Sequence, residues 1–373
     1  MLIHRPFGIY IHVPFCKRKC GYCDFYSVEG IDAAGRYAES LEKEILETAA
    51  DMDYKCADTL FIGGGTPTLF PVPLLERIMT LIRKEFDLSA CTELTLECNP
   101  GTLTEEKAAA YKSLGFTRVS VGAQSFNENE LKFLNRIHSV AQTHEAVRML
   151  KKAGFENFNL DLMFGLPGQS NSDLVRSLAE ALALEATHIS LYGLTIEENT
   201  PFHQKLMAGE FTRANEERYE AQYLTAHSFL SAEGLLHYEV SNFARPQREA
   251  LHNLNVWRGR DYIGFGVSAH SRTGLKQWAN AADLEAYIKN PLKRSFENTL
   301  ADDQMRLERL MLGLRTNEGV PASLCGSRKN IDDLKQRQLL QEKNGRVVLT
   351  AEGMLLLDEI VLLLEGRRCL TLN

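Results

Sequence analysis

Ile11 to Asp24 reads IHVPFCKRKCGYCD. Three cysteines, Cys16, Cys20 and Cys23, fall within eight residues, and Phe25 stands two positions beyond the last. Spacings of four and three positions let one short loop bring three thiolates to a single metal centre. Structural zinc usually takes four protein ligands, often as separated pairs, and His12 supplies a fourth in that reading. A four-iron cluster held by only three cysteines keeps one iron open for a further ligand. Phe25 withholds a nearby fourth thiol and so favours the cluster.

The rest of the composition is that of an ordinary globular protein. The chain has 373 residues, 44% hydrophobic and 24% charged, enough for a barrel-sized domain plus a smaller one. No apolar run reaches the length of a membrane span, and MLIHRPFGIYIHV lacks a signal-peptide core, so a cytoplasmic protein is expected. A net charge of -7 argues against a nucleic-acid partner. The five other cysteines, Cys56, Cys91, Cys98, Cys325 and Cys369, are scattered and read as small hydrophobes.

Outward from the cysteines, short β-rich runs alternate with amphipathic stretches. The strand candidates are Gly8–His12, Thr59–Ile62, Glu93–Glu97, Arg118–Val121, Phe158–Met163 and His188–Tyr192. Six β–α units in a row predict a parallel sheet with helical crossovers, in the form of a partial (β/α)6 TIM-like barrel over residues 1–235. Chemistry in such folds sits at the C-terminal ends of the strands. Cys16, Gly63–Thr66, Glu97–Asn99, Gln124, Asp161 and Tyr192–Gly193 all lie there.

Residues 236–298 read as a connecting region of short β-rich pieces, HYEVSNFA, HNLNVW and YIGFGVSAH. Residues 299–373 read as a small winged-helix-like α+β module: helix, helix, a hairpin turning at Asn344-Gly345, and a last helix to Leu364. From Ala301 to Asn373 eleven Lys/Arg face eleven Asp/Glu, which makes a poor DNA binder.

CxxxCxxC after the first strand, with Gly63–Gly65 after the second, resembles the radical S-adenosylmethionine (SAM) superfamily. In that family SAM chelates the open iron of a [4Fe-4S] cluster, and its reductive cleavage yields a 5′-deoxyadenosyl radical. Closer matches, YIHVPFCKRKCGYC, FIGGGTPT, LECNP, VSVGAQSFNENELKFLNR and DLMFGLPGQ, resemble the oxygen-independent coproporphyrinogen III oxidases and their relatives over nearly the whole chain. The resemblance implies that Cys16, Cys20 and Cys23 ligate the cluster. It implies SAM contacts from Tyr10, Gly64, Gly65, Thr66, Glu97 and Gln124. Arg136 matches a fork onto a carboxylate, Asp161 a partner for a ribose or amine, and Gly193 a backbone contact with adenine.

Two branches of the family differ. The oxidases resemble CxxxCxxCxC and carry a longer segment before the motif. Here Phe25 replaces that last cysteine and fifteen residues precede Cys16, as in the branch of heme chaperones. That branch carries HNxxYW, and residues 252–257 read HNLNVW, with Val256 in place of tyrosine. The resemblance makes His252 a candidate axial heme ligand and Trp257 a candidate stacking residue. The opposing reading is that His252 bonds a loop and Trp257 fills core. His237 and His270 are the reserve ligands. The expected function is heme binding and transfer to a cytoplasmic or membrane-associated acceptor, with peripheral membrane association. The alternative is oxidative decarboxylation of coproporphyrinogen III, which requires an electron donor to cleave SAM.

Overall fold

The computed structural model describes residues 6–366. Strand β1 (Phe7–Val13) runs into the cysteine loop, where two short strands, β2 (Phe15–Cys16) and β3 (Val28–Glu29), pair in parallel. Five β-strands follow, β4 (Ala57–Gly64), β5 (Glu93–Cys98), β6 (Arg118–Gln124), β7 (Phe158–Phe164) and β8 (His188–Gly193). With β1 they are the six strands expected, all parallel and in sequential order.

Between them lie α1 (Ala34–Ala50), α2 (Val72–Glu85), α3 (Glu105–Ser113), α4 (Glu128–Phe133), α5 (Val140–Lys152) and α6 (Asn171–Ala183). Their starts are written locally. Thr104 accepts from the third helical N–H of α3, and Ser139–Gln142 and Ser170–Asp173 close reciprocal boxes on α5 and α6. Alternate strand residues such as Ile9, Ile11, Leu60 and Ile62 face the helices and build the core. The other set faces inward.

After α7 (Pro201–Met207) and α8 (Glu216–Ala232) the chain departs from the expected partition. Residues 236–298 are not a separate connector, because their strands extend the same sheet. Strands β9 (Leu236–Glu239) and β10 (Asn242–Ala244) add antiparallel at the β8 edge. HNLNVW is not β-rich; it is helix α9 (Leu251–Trp257). Strand β11 (Tyr262–Phe265) then pairs in parallel with β1, as a seventh parallel strand. Strands β12 (His270–Thr273), β13 (Lys276–Asn280) and β14 (Arg294–Thr299) continue antiparallel beyond it, with α10 (Leu284–Lys289) between the last two.

The C-terminal module follows as α11 (Asp302–Leu314), β15 (Val320–Pro321), α12 (Arg328–Gln336), the hairpin β16 (Leu340–Lys343) and β17 (Arg346–Leu349), then α13 (Ala351–Leu355) and α14 (Leu357–Glu365). The hairpin turns at Asn344 and Gly345, both with positive φ, as the Asn-Gly pair predicts. The last helix is two pieces, broken at Leu356. Cys369 lies outside the described residues.

Candidate functional site

The glycine loop and the cysteine loop touch backbone to backbone. A Cβ on Gly65 would stand 2.9 Å from the Phe15 carbonyl oxygen, and one on Gly64, whose φ is 113°, would meet the His12 ring at 2.6 Å. The triple glycine therefore has a packing reason beyond cofactor approach: only bare backbone lets β4 end against the strand that leads to Cys16. The Thr66 hydroxyl donates to Cys16 Sγ at 3.6 Å. Arg136, after α4, donates from Nη1 to Cys20 Sγ at 3.3 Å and from Nη2 to the Gly122 carbonyl at 2.8 Å, while its buried Nε has no hydrogen-bond partner among the described residues.

Cys16, Cys20 and Cys23 are free and half-buried. Burial pushes Cys16 up and Cys23 up to about 11. His12, the fourth ligand of the zinc reading, is engaged at both ring nitrogens, by the Tyr10 hydroxyl at 3.0 Å and the Tyr26 carbonyl at 2.9 Å. Burial lowers its pKa to about 4, so it is neutral. Among the described residues no three His, Cys, Asp or Glu side chains converge on one metal ion. Soft thiol donors flanked by a hydroxyl and a guanidinium fit an iron–sulfur cluster, and the unpaired Arg136 Nε fits a further ligand beside it. A cavity of about 370 Å³ opens beside Cys16, between Lys17 and Lys107.

The other predicted residues face the barrel lumen from neighbouring strands. Glu97 Oε2 accepts from the Gly64 N–H at 3.0 Å. Enclosure pushes its carboxyl up to about 8, with Asp161 adding to the rise. Asp161 is also raised by burial and accepts from Asn159 at 2.7 Å and Ser120 at 3.3 Å. Gln124 ends β6 with a φ of 67°, a left-handed conformation uncommon outside glycine. Gly193 has a different local reason: a Cβ there would overlap the Tyr219 hydroxyl from α8.

The inward face holds more than the strand ends promised. Ala250 N–H donates to the Tyr238 oxygen at 3.2 Å, and His188 Nε2 lies 2.8 Å from that hydroxyl. His188 Nδ1 lies 2.7 Å from Asn159 Oδ1, and Asn159 Nδ2 donates to Asp161. Burial holds His188 well below its ordinary value, so it is neutral and relays one proton direction: Tyr238 donates to Nε2 and Nδ1–H donates to Asn159. Glu93 accepts from the Leu251 and His252 N–H groups at 2.9 and 3.0 Å, and so caps α9 from across the barrel floor. That remote carboxylate satisfies the first N–H groups of the helix that HNLNVW forms. Its signal was the polar residue at every second position of ELTLEC, which marks a lumen-facing row.

His252 and Trp257 do not share a site. His252 is 5% exposed, with Nδ1 3.1 Å from Thr59 Oγ1 and its ring tilted on Phe61. Burial lowers its pKa to about 4. Trp257 lies on another side of the helix, with the Arg315 guanidinium 4.4 Å from its ring and its buried Nε1 unpartnered among the described residues. Of the reserve histidines, His237 lies against His227 and Phe243, and His270 is exposed.

The radical SAM superfamily profile matches residues 10–181. The chain is 34% identical to the heme chaperone HemW of Mycobacterium tuberculosis, over 97% of this chain and 95% of that one. It is 33% identical to the heme chaperone HemW of Bacillus subtilis, over 94% and 97%. The solved coproporphyrinogen III oxidase (HemN) of Escherichia coli, a radical SAM enzyme, superposes with a TM-score of 0.83 over 97% of this chain and 90% of that one, at 22% identity, which shows the shared fold. A family likeness this long, on a cysteine loop and barrel mouth of this geometry, is decisive: the chain belongs to the HemW family of radical SAM proteins.

Proposed function

We propose that this chain is a heme chaperone that binds heme and passes it to an acceptor protein. The carrying observation is end-to-end likeness to heme chaperones at 33–34% identity, joined to Phe25 in place of the oxidases' extra cysteine. Phe25 is 72% exposed, so nothing in the packing demands a phenylalanine there. Cys16, Cys20 and Cys23 would hold a [4Fe-4S] cluster, which would supply chelation of SAM and, with an electron donor, the electron for its reductive cleavage. Arg136, Glu97, Gln124, Asp161, Tyr10 and the Gly64–Thr66 loop position SAM beside it. Glu97 and Asp161, both raised by burial, present hydrogen-bonding carboxyl groups to the ligand. Trp257 is assigned to the heme end, and His252, buried against Thr59 and Phe61, holds the helix that carries it.

Among the described residues no helix is long and apolar enough to cross a membrane. Heme loaded on the chain should pass to a heme-free acceptor, followed as a shift of the Soret band to the acceptor's spectrum. A chain that takes up no heme would end the proposal.

A further inference from the structure

A cavity of about 600 Å³ lies at the barrel floor, between the end of α9 and the C-terminal module, far in the fold from the cysteine loop. Its size falls within the range of small-molecule sites. Four arginines line it, Arg258, Arg260, Arg309 and Arg346, against one carboxylate, Asp261. Two of the four are matched: Arg258 pairs with Glu318, and Arg260 with Asp58 at 3.0 Å. Arg346 donates to the backbone carbonyls of Glu318 and Gly319, each at 2.6 Å. Arg309 is exposed and has no hydrogen bond or ion pair among the described residues. Asp261 accepts from the Gly274 N–H at 2.8 Å. Trp257, whose buried Nε1 lacks a partner among the described residues, adds an aromatic wall.

We propose that this cavity takes the two carboxylate arms and the adjoining ring edge of the heme, with Arg309 and Arg346 forked onto the arms and Trp257 against the ring. The proposal rests on the chaperone reading and names where its cargo sits. Guanidinium groups not matched by protein carboxylates are suited to bidentate capture of a ligand carboxylate. Among the described lining residues none is His, Cys, Met or Tyr, so the arms and the ring supply the hold. A grip on the arms leaves the iron's axial positions to the acceptor, as a carrier requires. It also separates the roles within HNLNVW: Trp257 meets the ligand, and His252 locks α9 into the barrel floor as a positioning residue.

The test titrates hemin into the full chain at the Soret band, for wild type, Arg309→Glu and Ser323→Glu. Both positions are exposed, so folding, checked by circular dichroism, is retained. Each variant should bind hemin about tenfold more weakly, the effect of one lost or opposed charged hydrogen bond. Hemin dimethyl ester, with both arms masked, should bind weakly and equally to all three. Equal hemin affinity across the three proteins, or ester binding as tight as hemin to wild type, overturns this site and leaves the chaperone reading standing. No saturable uptake by wild type overturns both.

Discussion

Arg136 reaches across the barrel mouth to place Nη1 3.3 Å from Cys20 Sγ, on the loop that follows β1. A guanidinium here serves two neighbours at once: it steadies a thiolate ligand and presents its unpaired Nε beside the site. Arg136→Met should therefore lower SAM affinity about tenfold or more in anaerobically reconstituted protein, by equilibrium dialysis, with Arg136→Lys recovering only part. Unchanged affinity in Arg136→Met would remove the residue from the SAM site.

Gly193 separates two roles by experiment. If its purpose is to admit the Tyr219 ring, Gly193→Ala destabilises the fold by about 1–3 kcal/mol, typical of overpacking. Tyr219→Leu in the same chain then restores much of the loss. A Gly193→Ala variant of normal thermal stability but weakened SAM binding would instead support the adenine contact.

The buried Tyr238 hydroxyl joins α9 to the lumen row through His188 and Asn159. Tyr238→Phe leaves the Ala250 N–H and His188 Nε2 without that partner. The expected cost is about 1–3 kcal/mol in urea unfolding. A variant as stable as wild type would show that the two ends of the barrel are not held by this chain of bonds.

Much of this was legible in the residues. The six strands announce themselves because their outward rows, such as Ile9 and Ile11 or Leu60 and Ile62, are apolar and end in loop signals. The cysteine spacing marked the site directly. The lumen row was harder to see: Glu93, Arg118, Asn159 and His188 look like interruptions of apolar strands until barrel closure turns alternate residues inward. HNLNVW reads as a β-rich piece because the carboxylate that caps its helix lies more than 150 residues earlier, at Glu93. Strand β11 reads as part of a connecting region because the strand it pairs with in parallel, β1, lies about 250 residues earlier.

Glu44 gives a pH signature. The carboxylate, buried on α1, accepts from Tyr287, Gly266 and Asn280 at 2.6, 2.8 and 2.6 Å. Burial outweighs these donors and pushes it from 4.5 up to about 7. The folded state thus holds a proton that the unfolded state releases. Stability from this group is present below about pH 4.5 and is lost as pH rises through about 7. Relative to Glu44→Gln, which does not titrate, wild type should lose up to about 3 kcal/mol over that window. Parallel stability profiles for the two proteins would contradict the assignment.

The chaperone reading meets its most direct test in one anaerobically reconstituted sample assayed twice, by hemin titration at the Soret band and by SAM-dependent turnover of coproporphyrinogen III. The account predicts saturable, stoichiometric heme uptake and no porphyrinogen turnover. Turnover without saturable heme binding would contradict it and make the chain a decarboxylating enzyme on the same fold.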